Sequence, residues 1–493
     1  MKRIVALCLS IALVFGITAC RGSASTVTST KALSTTAITT AKAVSSTPAA
    51  TKIAITNANA SSAVSSGSKA EGTTGAVYID PNASNMKGTI RFWTAFDGQY
   101  GTNALIDDFH KYYPNIDVKY TVYKNDTEGN LTADTALLSG DVDVMLSFGT
   151  HNTSSRWENG MLLDITDKLK KDNLDLKKEW GTDAYTYNGK VFCFPSGGLS
   201  VFVALNMTMW KAAGLGDIPK EWTWDEYIEA CKKMTKKDAT GVTEVYGGTD
   251  FNQRDYWTYA LRQSKGVDAF YKTDGSADFD NPLCSTILNR ELAAEKDGVW
   301  FKKIQLLTDG KKSRDLLFKG NVASCIESII TRFVMDTKNN PHDFIMGYAP
   351  YPVNKKGETN YALGNMPNSF FVISKDAKDA DVAYAFAKFA STKGGKYLYK
   401  AGHTTTWTGT DPNEIVDLVF GSRAEAEKYV DVNSYITNVL AIGAPAYHEE
   451  KTKAYSKIAS LLDEYTDYML SGEMPVEKGL KDLNDLANQA IKE

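Results

Sequence analysis

The sequence predicts an α/β protein of at least two lobes, and two observations carry that prediction. Its 493 residues exceed what one hydrophobic core holds, because single cores stop growing at about 250–300 residues. From residue 85 onward, strand-like and helix-like segments alternate, the order that builds a mostly parallel sheet covered by helices on both faces. With 43% hydrophobic and 23% charged residues, the composition excludes collagen-like, disulfide-rich and polytopic membrane classes.

The first element is not part of the fold. Lys2 and Arg3 precede an uninterrupted apolar run over residues 4–17 that ends in Thr18, Ala19 and Cys20. Basic residues, a short apolar core and a small-residue exit describe a secretory signal, too short to span about 30 Å of hydrocarbon, so residues 1–19 are expected to be removed. Ile17-Thr18-Ala19-Cys20 resembles the bacterial lipobox, which implies acylation of Cys20 and anchoring to the extracellular face of a cell membrane by two chains. Ordinary cleavage nearby is the alternative. Residues 20–76 follow as a stalk: about two thirds of 21–76 is Ser, Thr or Ala. So little apolar surface cannot offset chain entropy, and a random coil of this length has an r.m.s. reach of about 40 Å.

Charge divides at the same boundary. Before residue 77 there are seven Lys or Arg and one Glu, so the remainder carries 48 cations against 58 anions, a net −10. An acidic body with scattered basic residues argues against nucleic acid as a partner.

The body opens with Thr89-Ile90-Arg91-Phe92-Trp93, a β-rich run after Gly88. Residues 102–113 place Leu105, Ile106 and Phe109 on one helical face, stopped by Pro114, and 116–122 alternates as a strand. A second step repeats the order: residues 131–138 are helical, Gly140 ends them, and 142–146 is a short apolar strand leading into a polar loop over 147–155. Ligands of such sheets bind beyond the carboxyl ends of the strands, which directs attention to 94–102 and 147–157.

FWTAF, DFHKYYPNIDVKY, ALLSGDVDVML, ENGMLLDITDKL, NGKVFCFPSG, LNMTMWKAAGL and EWTWDEYIEACKKMT, followed by LFKGNVASCIES, IMGYAPYPVNKKG and FFVISKDAKDADVAYAFAKFAST, occur in this order. The ordered set resembles the extracellular solute-binding proteins of family 1, the receptors of carbohydrate-importing ABC transporters. The resemblance covers nearly everything after residue 85. It implies a two-lobed, type II periplasmic-binding-protein-like α/β fold with each sheet flanked by helices. The hinge crossings are expected near 195–199, 348–352 and 403–407, with lobe one at 85–196 plus 353–403 and lobe two at 197–352 plus 404–493. It implies an oligosaccharide or other sugar as ligand, the transmembrane subunits of an ABC permease as partner, a monomer, no cofactor and no catalysis. A lipid-anchored receptor of this kind suits a monoderm bacterium. A surface glycan-binding or adhesion protein without a permease, or a wall-acting glycan enzyme, is the alternative.

A sugar presents hydroxyls and weakly apolar C–H faces, so its site needs aromatic plates together with carboxylates or amides that each meet two hydroxyls. At the first strand end these are Phe96, Asp97 and Tyr100; a turn-capping role is the alternative for Asp97. At the second, Phe148, His151 and Asn152 follow the strand, at positions where the resemblance implies an aromatic and a charged ligand contact. Arg254, Asp255, Tyr256 and Trp257 form the densest cluster of rings and planar donors, and Arg254 would suit an acidic sugar through a bidentate pair. The alternative there is a helix cap at Asp255 and packing by Trp257. Glu327 interrupts an apolar strand, where an unpaired carboxylate is costly to bury. Asn365 and Asn368 sit in a loop expected at the interlobe face, and Trp407 is a further stacking candidate.

Cys193, Cys231, Cys284 and Cys325 show no CxxC spacing and the five histidines are scattered, so no metal site is expected. The four cysteines fit disulfides of an exported protein or buried thiols equally. No G-x-S-x-G, H-E-x-x-H or G-x-x-x-x-G-K motif is present.

Overall fold

The computed structural model describes residues 76–493 apart from 182–184, 329 and 365. The expected signal segment, Cys20, the stalk and Asn365 lie outside the described residues. No described helix is long and apolar enough to cross a membrane.

The first lobe is a five-stranded sheet flanked by helices. Strand β1 (Lys87–Thr94) leads through α1 (Thr102–Tyr112) to β2 (Asn115–Val122), then through α2 (Thr127–Leu138) to β3 (Val144–Phe148). β1 pairs in parallel with both β2 and β3. The sheet continues beyond β3 with the antiparallel strand Ser369–Ile373, and ends with Cys193–Pro195 antiparallel to that strand. Ile90 and Phe92 of β1 meet Leu105 and Phe109 of α1 in one core, where the Phe92 and Phe109 rings both pack edge-on against Phe386. Asp143 locks the strand order by accepting from Arg91 Nη2 at 2.6 Å and Nε at 2.9 Å.

Residues 147–155 differ from the polar loop the sequence suggests. Gly149, at φ 79°, turns the chain directly into a helix, α3 (Thr150–Glu158). The helix is pinned from below by Arg156, which is 1% exposed and donates to Asp134, Ser147 and Asn130 on the elements around it. Ser147 and Thr153 also share a hydrogen bond of 2.7 Å.

The second lobe is built on a three-stranded antiparallel sheet with Phe202–Asn206 between Ser324–Glu327 and Met346–Pro350. The period of two divides this central strand between two cores. Val201, Val203 and Leu205 face the larger one, formed with the helices Trp224–Met234, Thr258–Lys265, Pro282–Lys296 and Tyr455–Ser471; Phe202 and Ala204 face the other, with Pro412–Phe420. All four cysteines of the body are buried free thiols.

Between the lobes the chain forms a ribbon of three short strands. Gly197–Leu199 is flanked in antiparallel pairing by Met366–Pro367 and Thr404–Thr405. Met366–Pro367 is thus the ribbon's middle segment in chain order, while 346–350 pairs within the second sheet. Val353 pairs with Thr223, Asn354 Nδ2 donates to Ala260 O at 2.8 Å and Ser264 Oγ at 2.7 Å, and Ala362 belongs to the larger second-lobe core. Those contacts anchor Val353, Asn354 and Ala362 to elements of the second sheet's larger core. The centre of the ribbon needs glycine, because a Cβ on Gly197 would stand 2.5 Å from His403 Nδ1.

Candidate functional site

A cavity of about 330 Å³ opens where the lobes face each other across the ribbon. The first lobe contributes Thr150 and His151 at the start of α3, together with Tyr185, and the ribbon contributes Leu199, Met366 and Pro367, followed by Asn368. The second lobe contributes most of the polar wall, from a 3-10 turn (Arg254–Trp257) that runs into the helix Thr258–Lys265 and from residues 447–455. Along that helix Asp255, Tyr259 and Arg262 stand at i, i+4 and i+7, one face of the winding, and all three line the cavity. Gly266, at φ 72°, ends the helix, where a Cβ would meet the Tyr361 ring at 2.6 Å.

Arg262 is the centre of the wall. It is 8% exposed, and its guanidinium stands 4.7 Å from the Tyr259 ring centre, 4.9 Å from Phe270 and 5.7 Å from Tyr447. A desolvated cation over a ring gains about 2 kcal/mol or more, which is how an arginine can sit in an aromatic wall. Its Nη2 donates to Tyr455 Oη at 3.3 Å and lies 3.9 Å from Asp255 Oδ2. Tyr455 in turn donates to Glu449 Oε1 at 2.6 Å, so one hydroxyl links cation and carboxylate. Burial pushes Glu449 up to about 7, against the pull of Arg262 and the proton offered by Tyr455.

Two atoms of this network are unfinished. Arg262 Nε and Glu449 Oε2 are buried without a hydrogen-bond partner among the described residues. Each such group costs about 1–3 kcal/mol when left unmatched. Both atoms lie behind the cavity surface, so the network is a tightly packed polar support for the wall that Asp255, Tyr259, Arg262 and Glu449 line.

The candidates from the sequence fall into distinct places. His151 and Asp255 line the cavity, as does Asn368. Phe96 and Phe148 do not; they pack edge-on with each other at 5.4 Å and with His403 at 5.1 and 5.4 Å, a cluster beside the ribbon. Burial, aided by the charge of Arg332, pushes His403 down to about 4, so the cluster is uncharged. Asp97 is exposed and caps a turn, accepting from its neighbour Gly98 N–H at 2.6 Å. Tyr100 is 43% exposed, and Asn152 donates to Phe148 O at 2.9 Å.

Tyr256 and Trp257 point away from the cavity into the core. Tyr256 stacks between Phe251 and Tyr259, and Trp257 Nε1 donates to Thr466 Oγ1 at 2.9 Å. Glu327 is fully buried but paired: it accepts from Ser313 Oγ at 2.9 Å and from Ser328 N–H at 3.1 Å, with Arg314 at 3.6 Å, which makes it an internal anchor and no part of the cavity wall. Trp407 packs on Tyr78 at 5.3 Å and donates to Glu179 Oε2 at 3.2 Å. Arg254, proposed for an acidic sugar, instead donates to Asp467 Oδ2 at 2.8 Å on the Tyr455–Ser471 helix. Arg254→Ala is accordingly expected to leave ligand affinity within about twofold, since a half-exposed ion pair of this kind is worth about 0–1 kcal/mol; calorimetric titration of the variant checks it, and a tenfold loss would return Arg254 to the site.

Comparison with known proteins places this geometry in context. The sequence matches the family described as bacterial extracellular solute-binding protein over residues 95–397. Comparison with curated proteins gives no match. Among solved structures the fold is similar to a sugar transporter from Rhizobium etli in an open conformation, with a TM-score of 0.68 and 18% identity over 82% of this chain and 100% of that one. It is similar to an ABC substrate-binding protein from Listeria monocytogenes in complex with cycloalternan, with a TM-score of 0.63 and 19% identity over 83% and 100% of the two chains. A maltose-bound protein of T. maritima gives 0.60 and 17% over 81% and 99%.

Proposed function

Since this chain belongs to the bacterial extracellular solute-binding protein family, we propose that it is the receptor of a carbohydrate ABC importer, closing its two lobes on an oligosaccharide and delivering it to the permease. The observation that carries the reading is the wall around Arg262. Tyr259, Phe270, Tyr447 and Tyr455 supply apolar plates, while Gln253, Asp255, Arg262 and Asn368 bring planar donors and acceptors to the same cavity. That combination suits a ligand with C–H faces and hydroxyls on one ring.

Capture by closure follows from where the wall residues sit. Most of the polar wall is on the second lobe, and α3 brings Thr150 and His151 from the first. A ligand touching both shifts an open–closed equilibrium by its differential affinity for the closed form. Cys20 is the attachment point in this reading, holding the receptor at the extracellular face of the membrane beside its permease, as a monomer and without chemistry on the sugar.

Calorimetric titration of an oligosaccharide panel, with small-angle scattering on each binder, tests the proposal. Binding of at least one saccharide with a fall in radius of gyration is the expected result. A panel with no binder, or shortened products after incubation, would overturn it.

A further inference from the structure

The corner where the ribbon enters the first sheet has its main chain engaged on both sides and one side chain left open. Asn368 follows the ribbon segment Met366–Pro367 and precedes the strand Ser369–Ile373. Its N–H donates to Gly197 O at 2.9 Å, and its carbonyl accepts from Gly149 N–H at 2.8 Å at the entrance of α3. Ser369 repeats the link to the ribbon, its carbonyl accepting from Ser196 N–H at 2.9 Å and its Oγ from Gly197 N–H at 3.0 Å. Both partners of Asn368 are glycines with no room for a side chain: a Cβ on Gly197 would meet His403 Nδ1, and on Gly149, at φ 79°, it would stand 2.9 Å from the His151 ring. The side chain that this junction presents to the cavity is therefore that of Asn368. It is half-buried and lines the cavity, and its carboxamide neither bonds to a described residue nor is sealed from solvent.

We propose that Asn368 is the closure-coupling residue of the site, the side chain through which a ligand held by the second lobe engages the ribbon and α3 together. This rests on the reading of the protein as a closing saccharide receptor. A carboxamide offers a donor and an acceptor in one plane, which two neighbouring hydroxyls of a sugar ring match. Gln253, exposed at the turn before the site helix and bonded through its side chain to no described residue, offers the same chemistry from the second lobe. The two amides differ in what lies behind them. Gln253 belongs to the wall that holds the ligand, so its contact is made whether the lobes are open or closed. Contact with Asn368 needs the lobes to approach, and only a contact of that kind favours the closed form. Thr150 and His151 also reach the cavity from the first lobe. Thr150, however, is hydrogen-bonded to Tyr185, and His151 stands exposed on the first turn of α3.

Titration calorimetry and small-angle scattering on the full chain test this, with maltotriose, cellotriose and an N-acetylglucosamine trimer as probes. Asn368→Ala is expected to bind the probe that the parent binds about tenfold more weakly, the scale of one polar partner lost, and to show no fall in radius of gyration at saturation. Gln253→Ala is expected to lose affinity on the same scale and still to compact fully once saturated. Asn368→Asp keeps the shape and the main-chain bonds but not the amide donor; it is expected to follow Asn368→Ala and covers the case in which alanine perturbs the fold. Full compaction of either saturated Asn368 variant, or loss of compaction in the Gln253 and Asn368 variants alike, overturns this inference and leaves the receptor reading standing. Failure of the three probes and of the wider panel to bind the parent overturns both.

Discussion

Arg262→Met is expected to abolish ligand capture and to cost about 3–5 kcal/mol of stability, the scale of a buried pair broken from one side. Arg262 is 8% exposed and holds Asp255 directly and Glu449 through Tyr455. Methionine can refill part of the space among Tyr259, Phe270 and Tyr447, but it leaves Asp255 and Glu449 without their shared cation. Glu449, already lifted by burial, would then rise further and stay protonated over a wider range. Urea unfolding and calorimetry measure the two effects. The double variant Arg262→Met/Glu449→Gln is expected to regain part of the stability and none of the binding. A single variant within about 1 kcal/mol of the parent and with unchanged affinity would remove Arg262 from the centre of the site.

The second large effect lies deeper in the same lobe. Lys303 is 0% exposed and pairs with Asp250, while Glu291 Oε1 stands 3.8 Å from its ammonium and Glu295 accepts its backbone N–H at 2.6 Å. Burial drives Glu291 and Glu295 well above the ordinary carboxyl range, and Lys303 opposes it. Such acids keep protons in the native state that the unfolded chain has already released. Their contribution to stability is complete below the ordinary carboxyl pKa and is lost as pH rises toward neutrality and beyond. Lys303→Met removes the opposing cation, so the loss is expected to reach about 3–5 kcal/mol at alkaline pH and to be clearly smaller at mildly acidic pH. Urea unfolding at both ends of that range checks the slope. An equal loss at the two would show that Lys303 acts through packing alone.

Much of the first lobe was legible because local signals agree there. The apolar spacing of Leu105, Ile106 and Phe109, the stop at Pro114 and the alternation after it specify α1 and β2 without help from distant residues. Helix α3 was not legible, since its sequence, Thr-His-Asn-Thr-Ser-Ser-Arg-Trp-Glu, has poor helix formers. Its buried Arg156 ties it to α2 and β3 through contacts that sequence order does not show. In the site, the Arg254–Trp257 cluster is visible in the sequence, but which of its side chains face the cavity is not. The rings of Tyr256 and Trp257 pack into the core, whereas a helical count from Asp255 reaches Tyr259 and Arg262 at the cavity. Glu449 and Tyr455 carried no such signal, being brought to Arg262 across nearly two hundred residues by packing of the Tyr455–Ser471 helix. At Glu327 and Arg254 charge suggests a ligand contact, while in the structure each has an internal partner.

The strand Ser369–Ile373, inserted between β3 and Cys193–Pro195, also orders the events of biosynthesis. Until it emerges from the ribosome the first sheet is split, with β3 presenting an unpaired edge. At about 5–20 residues per second, the interval between completing β3 and completing its neighbour is about 10–45 s. An exposed apolar edge of that duration is a site for mispairing with other nascent chains. Chains truncated before residue 369 are therefore expected to aggregate or engage holdase chaperones, while completion of the first sheet waits until Ser369–Ile373 has been made.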